Sequence, residues 1–270
     1  MKTSSSLTDS LKSVFSAVVI PVEILVAILI YLFVLGDPAN FQGNDPANHP
    51  LPGNYLGVVY KGGFIVPILI SLMMMVLTFG FERILTISRA KGKGSVKNFV
   101  QKIRALLSSN NVGQAIAECD QQKGSVANVV RAGLTKYGEL SKNNSIEADK
   151  KVLMIQKDIE ETTQLEMPML EKNLVIIATI ASIATLLGLL GTVLGMIKAF
   201  AALATAGAPD AVALANGISE ALINTALGIG TSALAIILYN YFTSKIDSLT
   251  YGIDEASYSI IQNFTTHTKG

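Results

Sequence analysis

The residues with the most chemical potential sit in the most apolar stretches of this chain. Gly217–Phe242 reads GISEALINTALGIGTSALAIILYNYF and holds Glu220, Asn224, Thr225, Thr231 and Ser232 among many small residues. In hydrocarbon, carboxylates and hydroxyls either line a polar pathway or bond neighbouring helices. The stretch Leu174–Ile197 has 24 residues without a charge and places Gly188, Thr192 and Gly195 at i, i+4 and i+7, with Gly191–Gly195 forming a GxxxG. Such a face lets helix backbones approach closely. The hydroxyl of Thr192 either points across that face or bonds back to its own helix. Glu220 also has two readings from its position: an interfacial carboxylate near a helix N-terminus, favoured by the helix dipole, or a pore group. Glu23, in Val14–Leu35, is read as an interfacial carboxylate in an early turn, and Lys198 as a side chain that snorkels to the interface. A proton relay needs a group that takes and releases a proton within the membrane. Glu23 and Glu220 are the only acids in the spans, with no intramembrane Asp or His, so the chain by itself is an incomplete proton wire.

The elements that position these groups are membrane helices, since about 20 helical residues cross the roughly 30 Å hydrocarbon core. Half of the 270 residues are hydrophobic and 15% are charged, an integral-membrane composition. The expected fold is all-α, with about four transmembrane helices and a helical cytoplasmic region between spans two and three. Val14–Leu35 is the first span; it exceeds the about 7–15 apolar residues of a signal peptide and no A-x-A site follows, so it is read as retained. Residues 1–35 thus form a short N-terminus and an N-terminal helix. Residues 36–63 form a loop with four prolines, in which the repeated DPAN (Asp37–Asn40, Asp45–Asn48) is a turn signature used twice. Residues 64–81 are the second span, whose Met73–Met75 run is packing rather than a metal box. Residues 174–242 hold the third and fourth spans, and 243–270 a polar tail.

Of 21 Lys and Arg, 15 lie between Arg83 and Lys172, which places residues 82–173 in the cytoplasm, and with four spans both termini lie there too. In that region Val96, Phe99, Val100, Ile103, Leu106 and Leu107 form one face of an amphipathic helix. Val112–Cys119 and Val126–Tyr137 read as shorter helices. Asn144 with Glu147 resembles a capping box opening a long helix, with a Val152, Ile155, Ile159, Thr162 stripe and a solvated face of Lys157, Glu160 and Glu161. Pro168 is expected to interrupt that helix. A net charge of +1 argues against nucleic-acid binding. The single Cys119 excludes an internal disulfide, and His49 and His267 have no Cys/His cluster near them, so no metal site is expected. No phosphate loop, HExxH or nucleophile motif is present, so no catalytic residues and no enzyme activity are expected.

Two ordered stretches, LLGTVLGMIKAF (Leu189–Phe200) and ISEALINTALGIGTSALAIILYNYF (Ile218–Phe242), resemble the paired signature helices of the MotA/TolQ/ExbB proton-channel family, the ExbB/TolQ branch most of all. The resemblance is strong over Gln164–Phe242 and weaker from Phe64 onward. It implies a pore-forming subunit of a proton channel and motor in the bacterial inner membrane, driven by the proton motive force and energising periplasmic or outer-membrane processes such as TonB-dependent transport. It implies a homopentamer around the helices of a single-span ExbD-like or TolR-like partner that carries the proton-binding Asp, with a TonB-like protein as a further partner. Protons are conducted and no cofactor is implied. The family's pore residues carry over as Thr192, Glu220 and Thr225. Gly188, Gly191, Gly195 and Gly228 are assigned to helix packing, and the Gly188/Thr192/Gly195 face to contact between copies. The sequence departs from the common pattern at Leu194, at Asn224 and in the added span Val14–Gly63. Two alternatives differ in what they need. A MotA-like motility stator needs cytoplasmic charges that grip a rotor, whereas those here are scattered; a non-conducting scaffold accommodates the glycine faces but not Glu220 with Thr225.

Overall fold

Apolar length sets the frame. In the computed structural model, which describes residues 5–143, 145–204 and 210–268, four helices are long and apolar enough to cross a membrane. The described residues contain no strand, only an isolated bridge between Phe41 and Pro50. Nine α-helices are described: α1 (Ser5–Leu29), α2 (Tyr55–Tyr60), α3 (Ile65–Lys91), α4 (Val96–Ser108), α5 (Val112–Gln122), α6 (Gly124–Ser141), α7 (Ala148–Glu171), α8 (Leu174–Leu203) and α9 (Ala211–Thr268). They divide into two compact units, Met1–Gly80 with Val175–Tyr239, and Phe81–Leu174 with Asn240–Gly270.

In the first unit, α8 and α9 are antiparallel and touch through small residues. A methyl group placed at Gly195 would meet the Ala221 backbone nitrogen at 2.6 Å, one at Gly217 the Ala199 nitrogen at 2.6 Å, and one at Gly228 the Ala184 oxygen at 2.6 Å. Ser232 closes the far end by donating to the Ala181 carbonyl at 2.5 Å. The spacings of three and four residues keep these positions on one helix face, so small residues meet turn after turn. The glycine face is therefore occupied within one chain. This corrects its assignment to contact between copies: residue type shows that a face can be approached closely, not which helix approaches it.

The loop after the first span is built as its composition foretells. A π-helical turn, Ile30–Leu35, ends α1. Asp37 and Asp45 each accept from the nitrogen two residues on, Ala39 and Ala47, both at 2.9 Å, so the two DPAN motifs make the same Asx turn. Lys61 fastens the second by donating to the carbonyls of Pro46 and Ala47 at 2.9 and 3.0 Å. Tyr60 stacks on Tyr31 with ring centroids 4.7 Å apart and meets Phe41 edge-on.

The second unit is a helical bundle. Phe99, Val100, Ile103 and Leu107 of α4 are buried, as are Ile155 and Ile159 of α7, and Lys157, Glu160 and Glu161 face outward. Residues 243–268, read above as a polar tail, are the end of α9. Its Ile246, Leu249, Ile253, Ala256, Ile260 and Phe264 recur every three or four residues and are buried. Asn263 donates to the Leu107 carbonyl at 2.9 Å, which also takes the Asn110 nitrogen at the end of α4, and accepts from Tyr137 at 2.9 Å. Pro168 does not interrupt α7, which runs to Glu171; the break comes at Asn173, in the left-handed region at φ +65°. Asn144 lies outside the described residues, and Glu147 is the residue before α7 and makes no capping bond.

Arg83, counted among the cytoplasmic charges, is 2% exposed. It donates to the Met169 and Leu170 carbonyls at 3.2 and 2.9 Å and to both carboxylate oxygens of Glu82. A buried guanidinium thus satisfies the end of α7, and Asn173 adds a bond to Glu82 at 3.2 Å. Arg83→Leu should cost about 3–5 kcal/mol, the penalty for breaking a buried charge pair from one side. Thermal unfolding of the purified protein measures it, and an unchanged midpoint would count against the clasp.

Candidate functional site

Glu220 lies in the third turn of α9 and is 7% exposed. Lys198, near the end of α8, donates to both of its carboxylate oxygens at 2.6 and 2.8 Å. That pairing gives Lys198, read as a side chain that snorkels to the interface, a partner inside the chain. The two residues are 22 positions apart, and only the antiparallel hairpin brings them together. The pair is asymmetric, since the Lys198 side chain is 54% exposed against 9% for Glu220. The Lys198 side chain is open at the chain surface, while Glu220 relies on the ammonium for its charge balance.

The third wall is the turn entering α3. A methyl group at Gly63 would sit 2.7 Å from a Glu220 carboxylate oxygen, and φ is +75° there, so both space and backbone conformation call for glycine. One turn beyond Glu220, Asn224 is fully buried and donates to the Gly62 carbonyl at 2.8 Å. Its side chain also fills the gap opposite Gly191, where a methyl group would come within 2.3 Å of the Asn224 Cβ. Asn224 therefore has a structural role: its amide ties α9 to the turn between α2 and α3. The signal was present in the sequence as Gly62-Gly63 before a span, but its target was not.

The two threonines are placed differently. Thr192 donates to its own helix at the Leu189 carbonyl at 2.5 Å, and Thr225 to the Ala221 carbonyl at 3.1 Å. Neither hydroxyl bonds to Glu220. Five residues separate Glu220 and Thr225, a rotation of about 140° at roughly 100° per residue, so they lie on different faces of α9. With its proton given to the helix, each hydroxyl offers lone pairs outward and can accept from water or a donor. Gly188 sits against this stretch, where a methyl group would approach the Asn224 carbonyl at 2.9 Å and the Thr225 Cα at 3.5 Å. Among the described residues, no three His, Cys, Asp or Glu side chains converge to hold a metal ion.

Glu23 departs from its expected place. It is the ninth residue of the apolar segment Phe15–Leu35, about 12 Å along the axis from Phe15 at 1.5 Å per residue, rather than in an early turn. It is 6% exposed, and Thr78 of α3 donates to one of its oxygens. Within the chain it is packed against α3.

A multi-pass membrane protein with a small-residue hairpin and a carboxylate sealed against it is the class these features define. The chain belongs to the MotA/TolQ/ExbB proton channel family, on the ExbB/TolQ branch: the family's model matches residues 121–255, half of the chain. It is 32% identical over 136 residues to the Tol-Pal system protein TolQ of Pseudomonas aeruginosa, covering 50% of this chain and 58% of that one. It is 26% identical over 195 residues to an ExbB homolog of Methanothermobacter thermautotrophicus, covering 72% and 65%. It is 35% identical over 86 residues to the biopolymer transport protein ExbB of Pseudomonas putida, covering 32% and 26%. The chain thus spans from about a quarter to just under two thirds of the length of these relatives. The first 120 residues, with α1 to α4, lie outside the family match.

Proposed function

We propose that this chain is the pore-forming subunit of an inner-membrane proton channel that converts the proton motive force into work on the periplasm or outer membrane. The observation that carries this reading is a carboxylate 7% exposed on the hairpin that the family model covers. An ion pair inside a span is costly and marks a pathway more often than packing alone. Relatives bear the names Tol-Pal system protein and biopolymer transport protein, so Tol-Pal function and biopolymer transport are the candidate outputs, TonB-dependent uptake being what the family resemblance adds. On this reading the chain forms a homopentamer around an ExbD-like or TolR-like single-span partner whose Asp carries the proton. Thr192 and Thr225 offer acceptors along the path, and Glu220 supplies a fixed charge beside it. The test is proton uptake by liposomes holding the complex with its partner; a scaffold would give no uptake above empty vesicles.

The same reading puts Asn48 in the periplasm and Lys91 in the cytoplasm, with both termini cytoplasmic. Both side chains are exposed, so cysteines placed there are within reach of reagent. In a Cys119→Ser background, an impermeant thiol reagent added to spheroplasts should label position 48 alone. Background is low even before that change, because burial, with Asp120 nearby, pushes the Cys119 thiol up to about 12. Labelling of position 91 but not 48 reverses the topology.

A further inference from the structure

The chain holds two carboxyl groups inside its membrane spans, and their surroundings are opposite. Glu220 has Lys198 on both oxygens. Among the described residues Glu23 has no cation beside it: its Oε1 is bonded to the Thr78 hydroxyl, and its Oε2 is buried without a partner. The same face of α1 is sealed one turn further on by Ala27, which is 0% exposed. Outward, Val22 and Leu25 are among the exposed apolar residues. No other titratable residue occurs in α1 between Phe15 and Leu29 or in α3 between Ile65 and Gly80. Elsewhere in the membrane helices of this unit, α8 contributes only Lys198, and α9 up to Tyr239 only Glu220 and Tyr239. Tyr31, in the turn after α1, has its hydroxyl on the Tyr60 carbonyl at 3.3 Å.

We infer that Glu23, rather than Glu220, is the carboxyl of this chain that holds a proton inside the membrane, and that α1 is clasped to α3 through this neutral acid. An ionised Glu23 would bury a charge in hydrocarbon with one hydroxyl donor and no cation. A neutral acid changes the balance. One oxygen keeps its hydrogen bond to the Thr78 hydroxyl, and the other is left at worst as an uncharged, under-satisfied polar group. Such a group is a far smaller burden than an uncompensated charge.

The test is infrared spectroscopy of the purified full-length protein in liposomes at neutral pH, comparing wild type, Glu23→Gln and Glu220→Gln. Glutamine has the shape of the neutral acid, so Glu23→Gln should retain the fold and the Thr78 contact. The wild-type minus Glu23→Gln difference should contain a protonated-carboxyl C=O band, lost completely in the variant. The Glu220→Gln difference should contain carboxylate bands instead. Mapping of dicyclohexylcarbodiimide adducts gives a second measure. A protonated carboxyl passes its proton to a carbodiimide nitrogen as the carboxylate oxygen adds to the central carbon, and rearrangement yields an N-acylurea with all atoms retained. The adduct should fall on Glu23 and vanish in Glu23→Gln. Carboxylate bands in the Glu23 difference spectrum, or an acid band lost only with Glu220→Gln, would overturn the inference.

Discussion

Replacing Glu220 with alanine should abolish gradient-driven proton flux while leaving membrane insertion and assembly intact. The fold survives because the partner left behind, Lys198, has a side chain 54% exposed and is not left as a buried unpaired charge. The pathway does not survive, because water replaces a hydroxyl's hydrogen bonds but not a fixed charge. The converse change exposes the asymmetry of the pair. Lys198→Ala strips the counter-ion from a carboxylate that is 7% exposed, so it should also impair function. A cost of about 1–2 kcal/mol, between that of an exposed and a buried pair, corresponds to about five- to thirtyfold. Thr192→Val and Thr225→Val should each do less than Glu220→Ala, since each hydroxyl already bonds its own helix and loses only its outward acceptor. The measurement is flux in liposomes containing the complex with its partner, beside an assay of output. Wild-type flux in Glu220→Ala would remove Glu220 from the path; lost output with intact flux would assign it to mechanical coupling.

Gly195→Leu should prevent the α8–α9 hairpin from forming at all. A side chain there starts 2.6 Å from the Ala221 nitrogen and 2.7 Å from the Gly217 carbonyl, and both obstacles are backbone. Overpacking usually costs about 1–3 kcal/mol when side chains can yield; here they cannot, and the cost should exceed that range. The expected result is loss of folded protein in detergent, not merely a smaller oligomer. Gly230→Leu is the control, because a methyl group there meets nothing within 4 Å in the single chain. It should leave the hairpin intact. Altered oligomer mass in Gly230→Leu alone would place that face at the subunit boundary. Wild-type folding of Gly195→Leu would refute the close approach.

How much of this was legible beforehand depends on how far apart the deciding residues lie. Periodicity is local, so the α4 face and the Ile155/Ile159 stripe could be read directly, and so could the two DPAN turns, whose bonds reach two residues. The end of α9 carries an equally regular stripe, Ile246 to Phe264, but its polar and charged intervening residues lower the mean hydropathy and disguise it as a tail. The failure at Pro168 is instructive as well. Loss of one backbone donor late in a helix is tolerated where a few residues remain, whereas a left-handed residue such as Asn173 ends the run outright.

By itself the sequence determined the helical class, the four apolar lengths, the charge asymmetry and the residue types available for chemistry, because each follows from local composition and period. Only the tertiary structure decided the partners. It joined Lys198 to Glu220 across 22 residues, turned the glycine face inward onto α9, and set Asn224 against Gly62 across 162. It also buried Arg83 against Leu170 and sealed Glu23 against Thr78. The physical reason is common to all of them. A charge or a glycine in a helix states a need, for a counter-ion or a close neighbour, and only packing determines which distant element meets it.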